Sequence, residues 1–167
     1  MPKILAIDPG YKESAWVTYD TVRGEPIAFK IELNEDVLAS LASTEAPCSI
    51  GGQPVSWLAV EMIAHYGMSV GVTVFDTCVW IGRFIERWPG SHILVYRKDV
   101  KMFLCQSMRA KDSNIRQALI DRFGPGKDKA IGLKKSPGPL YGFKKDLWAA
   151  LAVAVTAAHQ MEEKADG

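Results

Sequence analysis

The stretch Lys3–Asp20, "KILAIDPGYKESAWVTYD", decides the fold. Four consecutive apolar residues, Ile4–Ile7, follow one basic residue and read as a fully buried strand. The run ends on Asp8, turns at once through Pro9-Gly10, and resumes as a second strand over Ser14–Tyr19. An unpaired carboxylate inside a core is costly. A strand that delivers Asp8 to its tip therefore positions a charge for use.

Outward from this stretch, Ile27–Leu33 makes a third strand, joined by "DTVRGEP", in which Gly24 is free to take positive φ. Asn34 suits an N-cap for a short helix carrying Val37, Leu38 and Leu41, with Glu35 and Asp36 in its first turn. "APCSIGGQP" breaks that helix, and Trp57–Val60 is another apolar strand, ending on Glu61. Helical spacing runs from about Met68 to Trp88 through Val72, Phe75, Val79, Ile81, Phe84 and Ile85, until Pro89-Gly90 stops it. His92–Tyr96 is a fifth strand. Amphipathic helices follow over about Lys98–Ser107 and Asp112–Phe123, the second capped by Asp112 or Ser113. "GPGKDKAIGLKKSPGPLYG" predicts a mobile basic loop over about 124–145. Asp146–Met161, "DLWAALAVAVTAAHQM", is a final helix, largely buried on its Ala/Val/Leu side.

This order predicts a single α/β domain over 1–167. Its five-stranded mixed sheet has a hairpin meander at one side, βαβ crossovers at the other, and helices on both faces. The length of 167 residues and the 48% hydrophobic and 23% charged content are ordinary for one soluble domain. No apolar run is long enough to span a bilayer, and no signal-peptide pattern precedes the first strand, so a cytoplasmic protein is expected. Cys48, Cys78 and Cys105 form no CxxC pair, which argues against a zinc site or disulfide framework; Cys78 and Cys105 read as core residues. The net charge of +1 conceals an asymmetry: His92–Lys145 holds 13 Lys/Arg against 4 Asp/Glu, and the remainder 7 against 15. A one-sign block of this kind points to a polyanion-binding face.

Asp8 ends the first strand, Glu61 the fourth, and Asp146 opens the last helix. If those strands are parallel neighbours, Asp8 and Glu61 lie side by side at one sheet edge, with Asp146 within reach. Converging carboxylates repel each other, which is tolerable mainly when a divalent cation fills the gap. Hard oxygen ligands without a His/Cys cluster select Mg²⁺, or Mn²⁺, over zinc. Two such ions about 3.5–4 Å apart are the usual machinery of phosphodiester hydrolysis.

The stretches "ILAIDPG", "LAVEMI" and "DLWAALAVAVTAAH", with a weaker match in "RAKDSNIRQALIDRFG", resemble the RuvC family of Holliday-junction resolvases, which have an RNase H-like fold. The resemblance takes in most of the chain, and the compact "KDLWAALAVA" points to a phage or prophage branch. It implies a homodimer that cleaves four-way DNA junctions with Mg²⁺ held by four acidic or histidine side chains. By position, Asp8, Glu61 and Asp146 are three of these catalytic metal ligands. The fourth position, one helical turn later, is Ala149, which leaves Asp76 or Asp112 as substitutes, or a single ion held by three carboxylates. The resemblance also gives Tyr66 as an aromatic wedge into the junction, and the helix from Met68 to Trp88 as part of a dimer interface. Lys134, Lys135, Lys144, Lys145, Arg109, Lys111 and Arg116 are candidate phosphate contacts. His65 is a candidate for positioning water.

Two other functions fit parts of the pattern. A junction-binding protein with little or no catalysis would explain Ala149. An ATP-binding relative of the actin and sugar-kinase fold shares a first strand ending in Asp-x-Gly, but such proteins need two domains of this size.

Overall fold

The computed structural model describes residues 3–41, 49–50 and 52–167. In chain order the elements begin β1 (Lys3–Asp8), β2 (Glu13–Asp20), β3 (Glu25–Leu33), α1 (Asn34–Leu41), β4 (Ser49–Ile50), β5 (Gln53–Pro54), β6 (Trp57–Met62) and α2 (Val72–Arg87). They continue with β7 (Ser91–Tyr96), α3 (Arg97–Cys105), α4 (Asp112–Phe123), α5 (Lys127–Ala130), β8 (Gly132–Leu133), β9 (Ser136–Pro137) and α6 (Leu147–Asp166). Five strands form one sheet in the order β3-β2-β1-β6-β7. The pairs β1–β2 and β2–β3 are antiparallel, while β1–β6 and β6–β7 are parallel. The mixed sheet read from the sequence, a meander on one side and crossovers on the other, is the one observed. Parallel neighbours need a crossover connection, and α2 supplies it between β6 and β7.

Strand alternation splits the core into two layers. Ile4 and Ala6 of β1, Ala59 of β6 and Val95 of β7 face α6, α3 and α4. Leu5 and Ile7 of β1, with Leu58 and Val60 of β6, face the other way, onto Val37 and Leu41 of α1 and Ile81 and Phe84 of α2. The same parity carried one residue further puts Asp8 and Glu61 on the α6 side.

Several local readings change. Composition suggested a structureless loop over 124–145, but the segment forms α5 and the β8–β9 hairpin and sinks Ala130 and Leu140 fully into the core. Its glycines serve close packing: a Cβ on Gly138 would lie 2.3 Å from the Lys129 carbonyl oxygen. Helix α2 starts at Val72, four residues later than its apolar spacing implied, because Gly67 takes a positive φ of 80° and Gly71 is extended. Asn34 is fully buried and bonds to a neighbouring loop instead of capping α1. The start of α4 is closed by Asn114, whose side chain accepts the Lys111 N–H at 2.8 Å, and not by Asp112 or Ser113. Cys78 and Cys105 are free thiols at half-buried positions, and Cys48 lies outside the described residues. No helix among the described residues is long and apolar enough to cross a membrane.

Candidate acidic site and nucleic-acid surface

β1 and β6 run in parallel register, with Ile7 opposite Val60, so the next residues in each strand are Asp8 and Glu61. The two carboxyl groups share a hydrogen bond. Both are largely withdrawn from water; the Glu61 side chain is 15% exposed. Burial, reinforced by the Glu61 charge and the shared hydrogen bond, pushes Asp8 up to about 9, with Asp146 adding to the rise and Arg97 opposing it. Burial also raises Glu61, against the lowering effect of the Asp8 hydrogen bond and the Arg97 guanidinium. Without a cation the pair therefore keeps a proton, held by Asp8, above the ordinary carboxylate range.

The turn after Asp8 is fastened from behind. Gly10 N–H donates to Ser14 Oγ at 3.2 Å, Ser14 Oγ–H donates to Asn34 Oδ1 at 2.6 Å, and Asn34 Nδ2–H donates to Gly10 O at 2.9 Å. The Asn34 backbone N–H adds a bond to Lys12 O at 2.9 Å. Ser14 and Asn34 are buried, and a hydrogen-bonded network of buried polar groups rigidifies what it holds. Only glycine fits at position 10, where a Cβ would stand 2.3 Å from the Glu13 carbonyl oxygen.

Asp146 precedes α6 and makes no side-chain cap of that helix. Its charge acts on both Asp8 and Glu61, but it is exposed and stands apart from them. Among the described residues no group of three or more His, Cys, Asp or Glu is gathered closely enough to hold a metal ion. The touching pair is Asp8 and Glu61, and hard oxygen donors that repel each other suit a divalent cation of the Mg²⁺ class. Lys145, immediately before Asp146, adopts a left-handed φ of 47°, a conformation that costs roughly 1–2 kcal/mol in a non-glycine residue.

A cavity of about 360 Å³ opens over the pair, lined by Asp8, Pro9, Glu61, Met62, Ile63, Ala64, Tyr66 and Arg97. Tyr66 is 63% exposed on its wall. His65 is occupied within its own loop: Nε2 bonds to Met68 O at 2.6 Å, and Nδ1 accepts the Gly67 N–H at 3.4 Å. Of the two substitute ligands, Asp112 reaches the neighbourhood of Glu61, while Asp76 sits on α2 in the opposite layer. Ala149 offers no donor.

The candidate phosphate contacts are all exposed but fall in separate places. Arg109 and Lys111 lie between α3 and α4, beside Asp112. Arg116 on α4 stacks over the Trp148 ring at 4.8 Å, near the start of α6. Lys144 and Lys145 line a second concavity with Phe29, Lys30, Ile31, Gly142 and Leu147, and Lys134 and Lys135 form the tip of the β8–β9 hairpin. The residue missed from sequence is Arg97, whose Nη1 is 3.7 Å from Glu61 Oε1 and whose Nη2 bonds to Asp112. Its signal was present: like Asp8 and Glu61, it is a charge placed directly after an apolar strand.

No family model and no curated protein sequence matches the chain. Solved structures do match in fold, among them two of RuvC. A Thermus thermophilus RuvC structure aligns with a TM-score of 0.62 at 16% identity, over 96% of this chain and 96% of that one. The structure of T. thermophilus RuvC in complex with Holliday junction substrate aligns with a TM-score of 0.64 at 15% identity, over 98% and 97%. The chain has a RuvC-like, RNase H-like fold along nearly its whole length.

Proposed function

We propose that the protein is a Mg²⁺-dependent endonuclease that nicks phosphodiester bonds in branched DNA, four-way junctions above all, with Mn²⁺ able to replace Mg²⁺. The observation that carries this reading is the contact between Asp8 and Glu61 at the tips of adjacent parallel strands, beneath an open cavity. Asp8 and Glu61 would hold the cation directly, with Asp146 contributing negative charge from the start of α6. When bound, the ion supplies an activated water and charge stabilisation at the scissile phosphate. The chain's own contribution is to hold the turn that follows Asp8 through the Ser14–Asn34 clamp and to give up the shared proton from Asp8 as the cation arrives.

Arg109, Lys111, Arg116, Lys134, Lys135, Lys144 and Lys145 would bind the backbones of the junction arms, giving steep salt dependence and little sequence reading. Tyr66, exposed on the cavity wall, would stack on an unpaired base, a contact that contributes about 1–3 kcal/mol. The outward apolar residues of α2, Val72, Phe75 and Val79, would join two copies into a homodimer, which suits a substrate with two strands to cut. The fold match to T. thermophilus RuvC in complex with Holliday junction substrate supports this choice of DNA.

Purified protein should nick a labelled synthetic four-way junction in Mg²⁺ while sparing linear duplex of the same sequence. Asp8→Asn and Glu61→Gln should each abolish nicking. Undiminished nicking by both variants would remove this site. A second reading, a junction-binding protein with little catalysis, is favoured by Ala149 and by the absence of a three-ligand cluster among the described residues. Tight junction binding without cutting in Mg²⁺ or Mn²⁺ would select it.

A further inference from the structure

Arg97 is the first residue of α3, directly after Tyr96, which pairs with Met62 at the end of β6. This junction of strand and helix aims a guanidinium at the acidic pair. Nη1 stands 3.7 Å from Glu61 Oε1, Nη2 is tied to Asp112, and the side chain lines the cavity that Asp8 and Glu61 share. The Arg97 side chain is 29% exposed and that of Asp112 88%, so the inner end of this charge chain meets Glu61 and the outer end meets water. A guanidinium keeps its charge at every accessible pH, and its planar fork is well suited to standing between two carboxylates.

We propose that Arg97 is a resident counter-cation of the Asp8–Glu61 pair, filling the Glu61 side of the site so that it takes one divalent ion and not two. The inference rests on the reading of that pair as a divalent-cation site. Asp8 and Glu61 together carry at most two negative charges, and Arg97 offsets one of them from a fixed position. A second divalent ion beside Glu61 would have to approach this guanidinium, and like charges at such separations repel strongly in a partly buried site. Of the other groups that could attract a second ion, Asp146 is exposed at the start of α6, apart from the pair, and its charge is shared by Asp8 and Glu61. Asp112 is committed to Arg97, and Ala149, three residues after Asp146 on α6, has no donor atom.

The test is a Mn²⁺ titration of the full chain followed by electron paramagnetic resonance, with thermal melts reporting the fold of each variant. The wild type should bind one Mn²⁺ per chain. Arg97→Gln should bind Mn²⁺ roughly tenfold more tightly, as loss of a unit positive charge at this range allows, and should admit a second ion. Arg97→Lys, which keeps the charge, should stay at one. If Arg97 merely braced Glu61, its removal would weaken binding instead. Two ions in the wild type, or unchanged or weaker binding in Arg97→Gln, would overturn the proposal, and the wild-type stoichiometry decides even if that variant fails to fold. Asp8→Asn separates the two levels. If it binds Mn²⁺ as the wild type does, the cation site itself is refuted; if it loses binding while Arg97→Gln leaves affinity and stoichiometry unchanged, only the role of Arg97 falls.

Discussion

Helices α6 and α2 cover opposite faces of the same strands and use their apolar residues in opposite directions. In α6, ten of twenty residues are buried, among them the unbroken run Ala150–Ala157 against β1 and β2. In α2, three of sixteen are buried, Thr77, Ile81 and Phe84, while Val72, Phe75 and Val79 face outward. One layer is finished within the chain, and the acidic site sits at its end. The other layer keeps an apolar stripe that no described residue of the chain covers. The contrast teaches that apolar content alone does not identify a core helix. Small residues on most of the α6 surface let strands and neighbouring helices approach closely, whereas α2 alternates large apolar with polar groups and seats only one narrow face.

Three substitutions can break or sharpen this contrast when their effects on stability are compared. Leu151→Ala, at a fully buried α6 position, should cost about 2–5 kcal/mol in urea unfolding through the cavity it leaves. Asp8→Asn should act the other way in metal-free protein. The folded chain holds the Asp8 proton up to about 9 against an ordinary 3.8, so stability falls as pH rises through that interval. Removing the carboxylate should flatten that slope, leaving the part that burial of Glu61 contributes, and gain on the order of 1–2 kcal/mol near its alkaline end, with urea midpoints in EDTA across pH as the measurement. Phe75→Asp, on the uncovered face of α2, should change monomer stability by no more than about 0.5 kcal/mol. It should nevertheless halve the sedimenting mass, if that stripe joins two copies. A loss of stability as large as that of Leu151→Ala would mean that Phe75 serves the fold of its own chain.

Much of this layout was legible in the sequence because it rests on period and punctuation. The apolar run Ile4–Ile7, the Pro9-Gly10 turn and the strand-end Glu61 mark parallel neighbours whose tips meet, and the register of β1 with β6 has them meeting. What the sequence concealed depends on contacts across long separations. Asn34 resembles a helix cap, and only folding reveals that its amide serves the turn 24 residues earlier. Arg97 follows an apolar strand as Asp8 and Glu61 do, but only folding shows that it reaches Glu61 and that Asp112, 15 residues later, holds its other end. In the segment 124–145, Gly and Pro signalled a loop because glycine permits both flexibility and tight packing. The backbone crowding at Gly138 and the burial of Leu140 decide between those two here.

The central claim is that Asp8 and Glu61 act as one half-buried carboxyl pair awaiting a cation. Carbon-detected NMR of the aspartate and glutamate side chains, followed from acidic to alkaline pH in metal-free protein, tests it directly. The account predicts one carboxyl of the pair still protonated well above neutrality, and release of that proton when Mg²⁺ is added. If both groups ionise in the ordinary acidic range and ignore Mg²⁺, the two strand tips do not form a shared site.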